Sequence, residues 1–214
     1  MKYIEKLHYI THDIPHLSHI EQVQQACEAG AKWIQYRCLS KSDEALLQDI
    51  NAIAEICDDW GTTLIVTDHI HLNGKADIQG FHIEDTDADF IKLRKLVGDD
   101  ITLGGSANRV DNLIRLSKEG ADYAGYGPFG ETETKPNNYS HLGIEGYQHV
   151  VKELKAQAIS IPILAVGGIK TYDVEALMQT GIYGIAVSGA INFADDFIEA
   201  YQDFYTLVKE SAVI

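Results

Sequence analysis

The chain is predicted to fold as a single α/β domain over residues 1–214, a (β/α)8 barrel of the TIM type. Three observations carry that expectation. Short apolar runs alternate with amphipathic segments from one end to the other, the pattern of strands buried on both faces and helices that cover them. Eight such units fit a barrel better than a doubly wound sheet, which stops nearer about five or six strands. Glycine stands where helices hand over to strands, at Ala29-Gly30, Glu119-Gly120 and Thr180-Gly181, and there it accepts the left-handed conformation that ends a helix.

In chain order the strands are expected at Leu7–Thr11, Trp33–Arg37, Thr63–Thr67, Gly80–Ile83, Ile101–Gly105, Ala121–Tyr126, Ile161–Val166 and Gly184–Val187. The helices are expected near His19–Glu28, Asp43–Asp59, Ala88–Val97, Val110–Lys118, Ile144–Gln157, Tyr172–Gln179 and Ala194–Lys209. After the third strand the connection is short, with Ile70–Ala76 giving at most two turns. No linker, low-complexity tract or domain boundary interrupts the series, and the four prolines are scattered.

Composition narrows the function classes. Lys and Arg number 17 against 32 Asp and Glu, a formal net charge of −15, which argues against nucleic acid and anionic membrane as partners. The N-terminal MKYIEKLHYITHD lacks the long apolar stretch of a signal peptide, and no apolar run approaches a membrane span. Cys27, Cys38 and Cys57 have no CxxC spacing and are read as reduced thiols without a special role. The expectation is a cytoplasmic domain whose partners are small-molecule phosphates, with homo-oligomerisation left open.

In such barrels the chemistry sits at the carboxyl ends of the strands. Strand two ends Gln35-Tyr36-Arg37, and Gln35 and Arg37 share a parity that points both into the mouth. Arg37 there is either a fork for phosphate or a barrel-filling ion pair. Strand three ends Thr67-Asp68, and strand four is followed by Glu84, Asp85 and Asp87. Carboxylates from adjacent strand ends suit a hard divalent cation, although Asp87 is equally placed to cap the next helix. His69 and His71 form a His-x-His, but no further set at strand ends completes four zinc ligands, so they are read as loop histidines. His82 is read as a satisfied strand histidine. Ser106, after strand five, donates to a phosphate oxygen or caps its turn.

Strand six runs into Gly127-Pro128 and a loop with Thr132, Thr134 and Lys135, two hydroxyls and an ammonium that make an oxyanion cradle or a solvated polar loop. Gly167-Gly168 follows strand seven, and Val187-Ser188-Gly189 closes strand eight. Glycine-rich turns after the last two strands are the standard barrel phosphate site, built from bare main-chain N–H groups.

These motifs carry a family resemblance. GYGPFGETETK resembles the Gly-Pro-x-x-x-Thr-x-Thr-Lys signature of the thiamine phosphate synthase family, and the likeness extends over roughly Leu7 to Ile191. The resemblance implies an Mg²⁺-assisted transferase joining hydroxymethylpyrimidine diphosphate to a thiazole (carboxythiazole) phosphate, with Asp68 and Asp87 as metal ligands. It implies that Gln35, Arg37 and Ser106 reach the diphosphate with Thr132, Thr134 and Lys135, and that Thr67 stands where the family's pyrimidine-contacting asparagine stands. Gly167, Gly168, Val187 and Ser188 are implied to hold the thiazole phosphate. Lys135, Arg37 and Ser106 would steady the departing pyrophosphate while the thiazole nitrogen attacks the pyrimidine methylene, without a protein nucleophile.

Two departures stand out. Leu39 occupies the place of the family's lysine after Arg37, with Lys41 two residues on as the candidate to reach the same anion, and Asp85 replaces a glutamine. TenI-type thiazole tautomerases are a close relative and the alternative reading; Leu39 favours it. Asn108 opposes it, because those relatives carry an acid/base histidine there. A non-catalytic phosphate binder is the third reading, and it would keep the glycine turns while losing Asp68, Asp87 and Lys135 together.

Overall fold

The computed structural model describes residues 2–132 and 139–211. Eight parallel strands close into a barrel in sequence order, as expected from the eight alternating units. The strands are β1 (Leu7–Ile10), β2 (Trp33–Tyr36), β3 (Thr63–Thr67), β4 (Gly80–Ile83), β5 (Thr102–Ala107), β6 (Tyr123–Tyr126), β7 (Ile163–Val166) and β8 (Gly184–Val187). The helices are α1 (His19–Glu28), α2 (Asp43–Trp60), α3 (Phe90–Val97), α4 (Val110–Lys118), α5 (Gly143–Ala156), α6 (Val174–Gln179), α7 (Gly189–Asn192) and α8 (Phe197–Ser211).

The departures from expectation have local causes. β7 begins two residues late because Pro162 has no N–H to give to a ladder, although its carbonyl still accepts from Ala124 N at 2.9 Å. α3 begins at Phe90 because Asp89 caps it, its carboxylate accepting from Lys92 N. α8 likewise starts beyond Asp196, whose carboxylate accepts from Glu199 N at 2.9 Å. The segment expected as one helix from Tyr172 splits into a tight turn, Thr171–Asp173, and α6. α7, four residues long, carries no periodic signal and was not expected.

Two cores hold the barrel. The larger lies between sheet and helices, with Val23, Leu46, Ile50, Ile53, Leu113, Leu116, Val150 and Leu177 packed on outward-facing strand residues. Each such side chain, fully buried, contributes roughly 1.5–3 kcal/mol. The smaller fills the barrel floor with Ile4, Trp33, Ile65, Tyr123 and Leu164. His8 stacks on Trp33 at 4.5 Å between ring centroids, and Tyr123 meets His8 edge-on at 5.0 Å. Gly104 makes room for the Tyr123 ring: a Cβ there would lie 2.1 Å from it. With the floor filled by aromatic side chains, the carboxyl end of the sheet is the end open to ligands among the described residues.

Candidate active site

Inward-facing residues and strand-end loops line a cavity of about 1090 Å³ at that end. Gln35, Arg37, Ser106, Thr132, Gly167, Gly168, Val187 and Ser188, all expected from the sequence, line it together. Thr134 and Lys135 lie outside the described residues. Thr67, Asp68 and Asp87 are not among its lining residues.

On the β2 side the polar groups already hold one another. Gln35 and Thr67 are buried, and Gln35 Nε2 donates to Thr67 Oγ1 at 2.8 Å. The Arg37 guanidinium, 9% exposed, forks onto Glu84 from the end of β4. Its Nε lies 2.8 Å from Oε1 and its Nη2 3.4 Å from Oε2. Of the two readings of Arg37, the ion pair is therefore present in this structure, and it sits at the mouth where an anion would compete for the fork. Leu39 is exposed, while Lys41 Nζ reaches Asp49 on α2 at 2.5 Å, which turns it toward that helix.

Asp68 ends β3 in a left-handed conformation (φ 56°), unusual for a residue with a side chain. Its Oδ1 accepts from Glu84 N at 2.9 Å and its own N–H donates to His82 O at 2.8 Å, so it ties the β3 and β4 ends together. Asp87 is exposed, and its N–H donates to Asp85 Oδ1 at 2.9 Å. The helix cap open to Asp87 on sequence grounds belongs to Asp89 instead. Asp87 is thus left without that structural duty. Glu84, Asp85 and Thr86 line the cavity beside it.

His82 is satisfied, as expected of a strand histidine. Its Nδ1 lies 3.1 Å from Tyr123 Oη and its Nε2 3.0 Å from Ser106 Oγ. Burial pushes the Tyr123 phenol far above its usual value, so it stays protonated and can donate to Nδ1. In the tautomer protonated on Nε2, His82 donates to Ser106 Oγ and leaves the serine hydroxyl hydrogen to an acceptor in the mouth, which Ser106 lines. This hydrogen-bonded line was missed from sequence, where Tyr123 read only as part of an apolar run; His82 and Tyr123 meet through the strand register.

On the opposite side the main chain dominates. Gly167 and Gly168 follow β7 with φ 92° and 71°, a glycine turn of bare main chain of the kind that makes anion-binding nests. A Cβ on Gly168 would meet Glu131 O at 2.2 Å. The loop after β6 is laced to this turn, with Phe129 N donating to Val166 O (2.8 Å) and Gly130 N to Gly167 O (3.0 Å). Ser188 sits at the start of α7, its Oγ accepting from Asn192 Nδ2 at 3.1 Å. Lys170 also lines this side and was not singled out in the sequence.

A family model described as thiamine monophosphate synthase matches residues 7–191. The chain belongs to that family. A thiamine-phosphate synthase of Bacteroides fragilis is 37% identical over 193 residues, spanning 90% of this chain and 95% of the relative. One of Bacteroides thetaiotaomicron is 36% identical over 194 residues, spanning 89% and 91%. Among solved structures, a thiamine phosphate pyrophosphorylase from Pyrococcus furiosus superposes with a TM-score of 0.83 at 25% identity, covering 96% of both chains. The family match covers every strand of the barrel and both sides of the mouth. No helix of the described residues is long and apolar enough to cross a membrane.

Proposed function

We propose that this family member is a thiamine phosphate synthase, joining hydroxymethylpyrimidine diphosphate to the thiazole phosphate with release of pyrophosphate. The observation that carries the reading is the division of one mouth into two unlike anion sites. The Gly167-Gly168 nest and the Ser188 turn offer N–H and hydroxyl donors for a monophosphate. Arg37, Ser106 and Thr132 line the same mouth, and we assign them to the diphosphate. The relatives named thiamine-phosphate synthase support the same assignment.

The residues present fit a hard cation. Asp68, Glu84, Asp85 and Asp87 bring oxygen donors to adjoining strand ends, the set that Mg²⁺ takes, and Asp68 with Asp87 would hold it. A divalent cation held there would supply neutralising charge for the diphosphate. The protein's own part is to position and discriminate. Arg37 exchanges its Glu84 partner for the diphosphate, Ser106 donates the hydrogen that His82 leaves it, and Lys135 adds a point charge. The floor of Trp33, Tyr123 and Leu164 keeps water from below. No proton has to be moved by a side chain, in keeping with Asn108 at a place where an acid/base group would be wanted for tautomerisation. The three cysteines are free and buried, which suits the cytoplasm.

The test is turnover of the two purified phosphates with and without Mg²⁺, read as thiamine phosphate formed. Product that depends on both phosphates and on the cation is expected; isomerisation of a thiazole phosphate alone would replace this reading.

A further inference from the structure

The turn after β3 gathers metal-ligating side chains that the reaction does not use. His69 and His71 stand on that turn, and Asp43 opens α2. One ligand atom from each of the three lies within 4.8 Å of the other two. His71 Nε2 is 2.8 Å from Asp43 Oδ2, and the two imidazole rings are 5.9 Å apart. His69 Nε2 is 3.2 Å from the carbonyl oxygen of Cys38. That is the outer contact by which a ligating histidine is usually oriented, with the carbonyl fixing one ring nitrogen and so the tautomer. The side chains of His71 and Asp43 are 50% and 62% exposed, so an ion reaches them without opening the fold.

We propose that Asp43, His69 and His71 bind a transition-metal dication of the zinc class, at a site separate from the carboxylates assigned to Mg²⁺. Two imidazoles and one carboxylate are a borderline donor set that suits Zn²⁺, Co²⁺ or Ni²⁺ over Mg²⁺. Three protein ligands leave at least one coordination position for water or another small donor. The sequence hid the site because Asp43 lies 28 residues before His71, on a helix rather than a strand end. The second cluster of this kind, Asp13, His19 and Cys38, is less open to an ion, because His19 and Cys38 are buried. There His19 bridges Thr11 Oγ1 at 2.7 Å and Asp13 Oδ1 at 2.8 Å.

A bound ion would clamp the start of α2 to the turn that begins at Asp68, stiffening one wall of the mouth. The site does not depend on the proposed reaction. Its test is a Co²⁺ titration of the untagged full chain in excess Mg²⁺, followed by d–d absorption and by competition with Zn²⁺. One saturable equivalent is expected, with a rise in melting temperature on loading. His71→Ala and Asp43→Asn should each weaken it at least tenfold while circular dichroism stays unchanged. His149→Ala, in an exposed pair on α5, and Asp68→Asn should leave it intact. No saturable equivalent in the wild type overturns the proposal, and so does an equivalent that survives in both His71→Ala and Asp43→Asn.

Discussion

The β7–β8 side of the mouth is lined by glycine-rich main chain, whereas the β2–β4 side carries charged side chains that already hold one another. Gly167 and Gly168 line the cavity with left-handed backbone, and on the proposed function their N–H groups take the phosphate without rearrangement. Arg37 is held by Glu84, and Asp68 is bonded into the β4 loop. In a chain of net charge −15, the proposed function would leave the diphosphate facing carboxylates that a cation has to screen. On that proposal one half is preorganised for its anion, and the other is conditional on a metal and on partner exchange.

Breaking the conditional half should have the largest effect. Asp68→Asn, or excess chelator on the wild type, is expected to lower turnover by about 10²–10³, the scale of losing a charge-stabilising group in an active site. Binding of the thiazole phosphate, followed by calorimetry, should survive both treatments. Full turnover in chelator would show that the carboxylates serve only to brace the loops.

Next comes the preorganised half. Gly168→Ala puts a Cβ 2.2 Å from Glu131 O at φ 71°. The strain is on the order of 1–3 kcal/mol, which should lower the melting temperature. KM for the thiazole phosphate should rise about tenfold as the nest is displaced, a loss of roughly 1.4 kcal/mol in binding. Equal damage to both substrates would mean that the two halves are not independent.

The barrel, its strand order and most of the mouth were legible in the sequence because buried parallel strands announce themselves as short apolar runs. Glycine pairs likewise announce left-handed turns. Gln35, Arg37, Ser106 and Gly168 were reached by parity and position alone, and all four line the cavity. What stayed hidden depended on which distant groups meet. Glu84 was one of three carboxylates in a loop, and nothing local says that it takes the Arg37 fork. Tyr123, His82 and Ser106 come from three strands, so their hydrogen-bonded line exists only once the register is set. Asp43 joins His69 and His71 only because α2 packs where it does.

A smaller effect is expected at the latch itself. Glu84→Gln keeps the shape but removes the charge that holds Arg37. KM for the pyrimidine diphosphate at saturating Mg²⁺ should fall about three- to tenfold, matching an ion pair worth on the order of 1 kcal/mol. A rise in the Mg²⁺ concentration needed for half-activity, with KM unchanged, would instead make Glu84 a metal ligand.

The smallest effect belongs to Lys41, the candidate to stand in for the missing lysine at Leu39. Its ammonium is bonded to Asp49, which also accepts from Tyr36 Oη at 3.0 Å, so it braces α2 against β2 rather than reaching the mouth. Lys41→Ala should leave both substrate titrations unchanged at low and at high salt. It should cost at most about 1 kcal/mol of stability, since the side chain is partly exposed. The Asp49 hydrogen bond raises the Lys41 pKa above its ordinary 10.5, with burial working against it. A folded-state pKa that is raised gives stability that is fully present below the ordinary value and lost as pH climbs through the folded one. The difference in melting temperature between wild type and Lys41→Ala should therefore be flat through neutral pH and shrink only above pH 10.5. A weaker pyrimidine diphosphate titration in Lys41→Ala, salt-sensitive and without a stability loss, would put the ammonium back in the mouth and make the Asp49 contact a resting position.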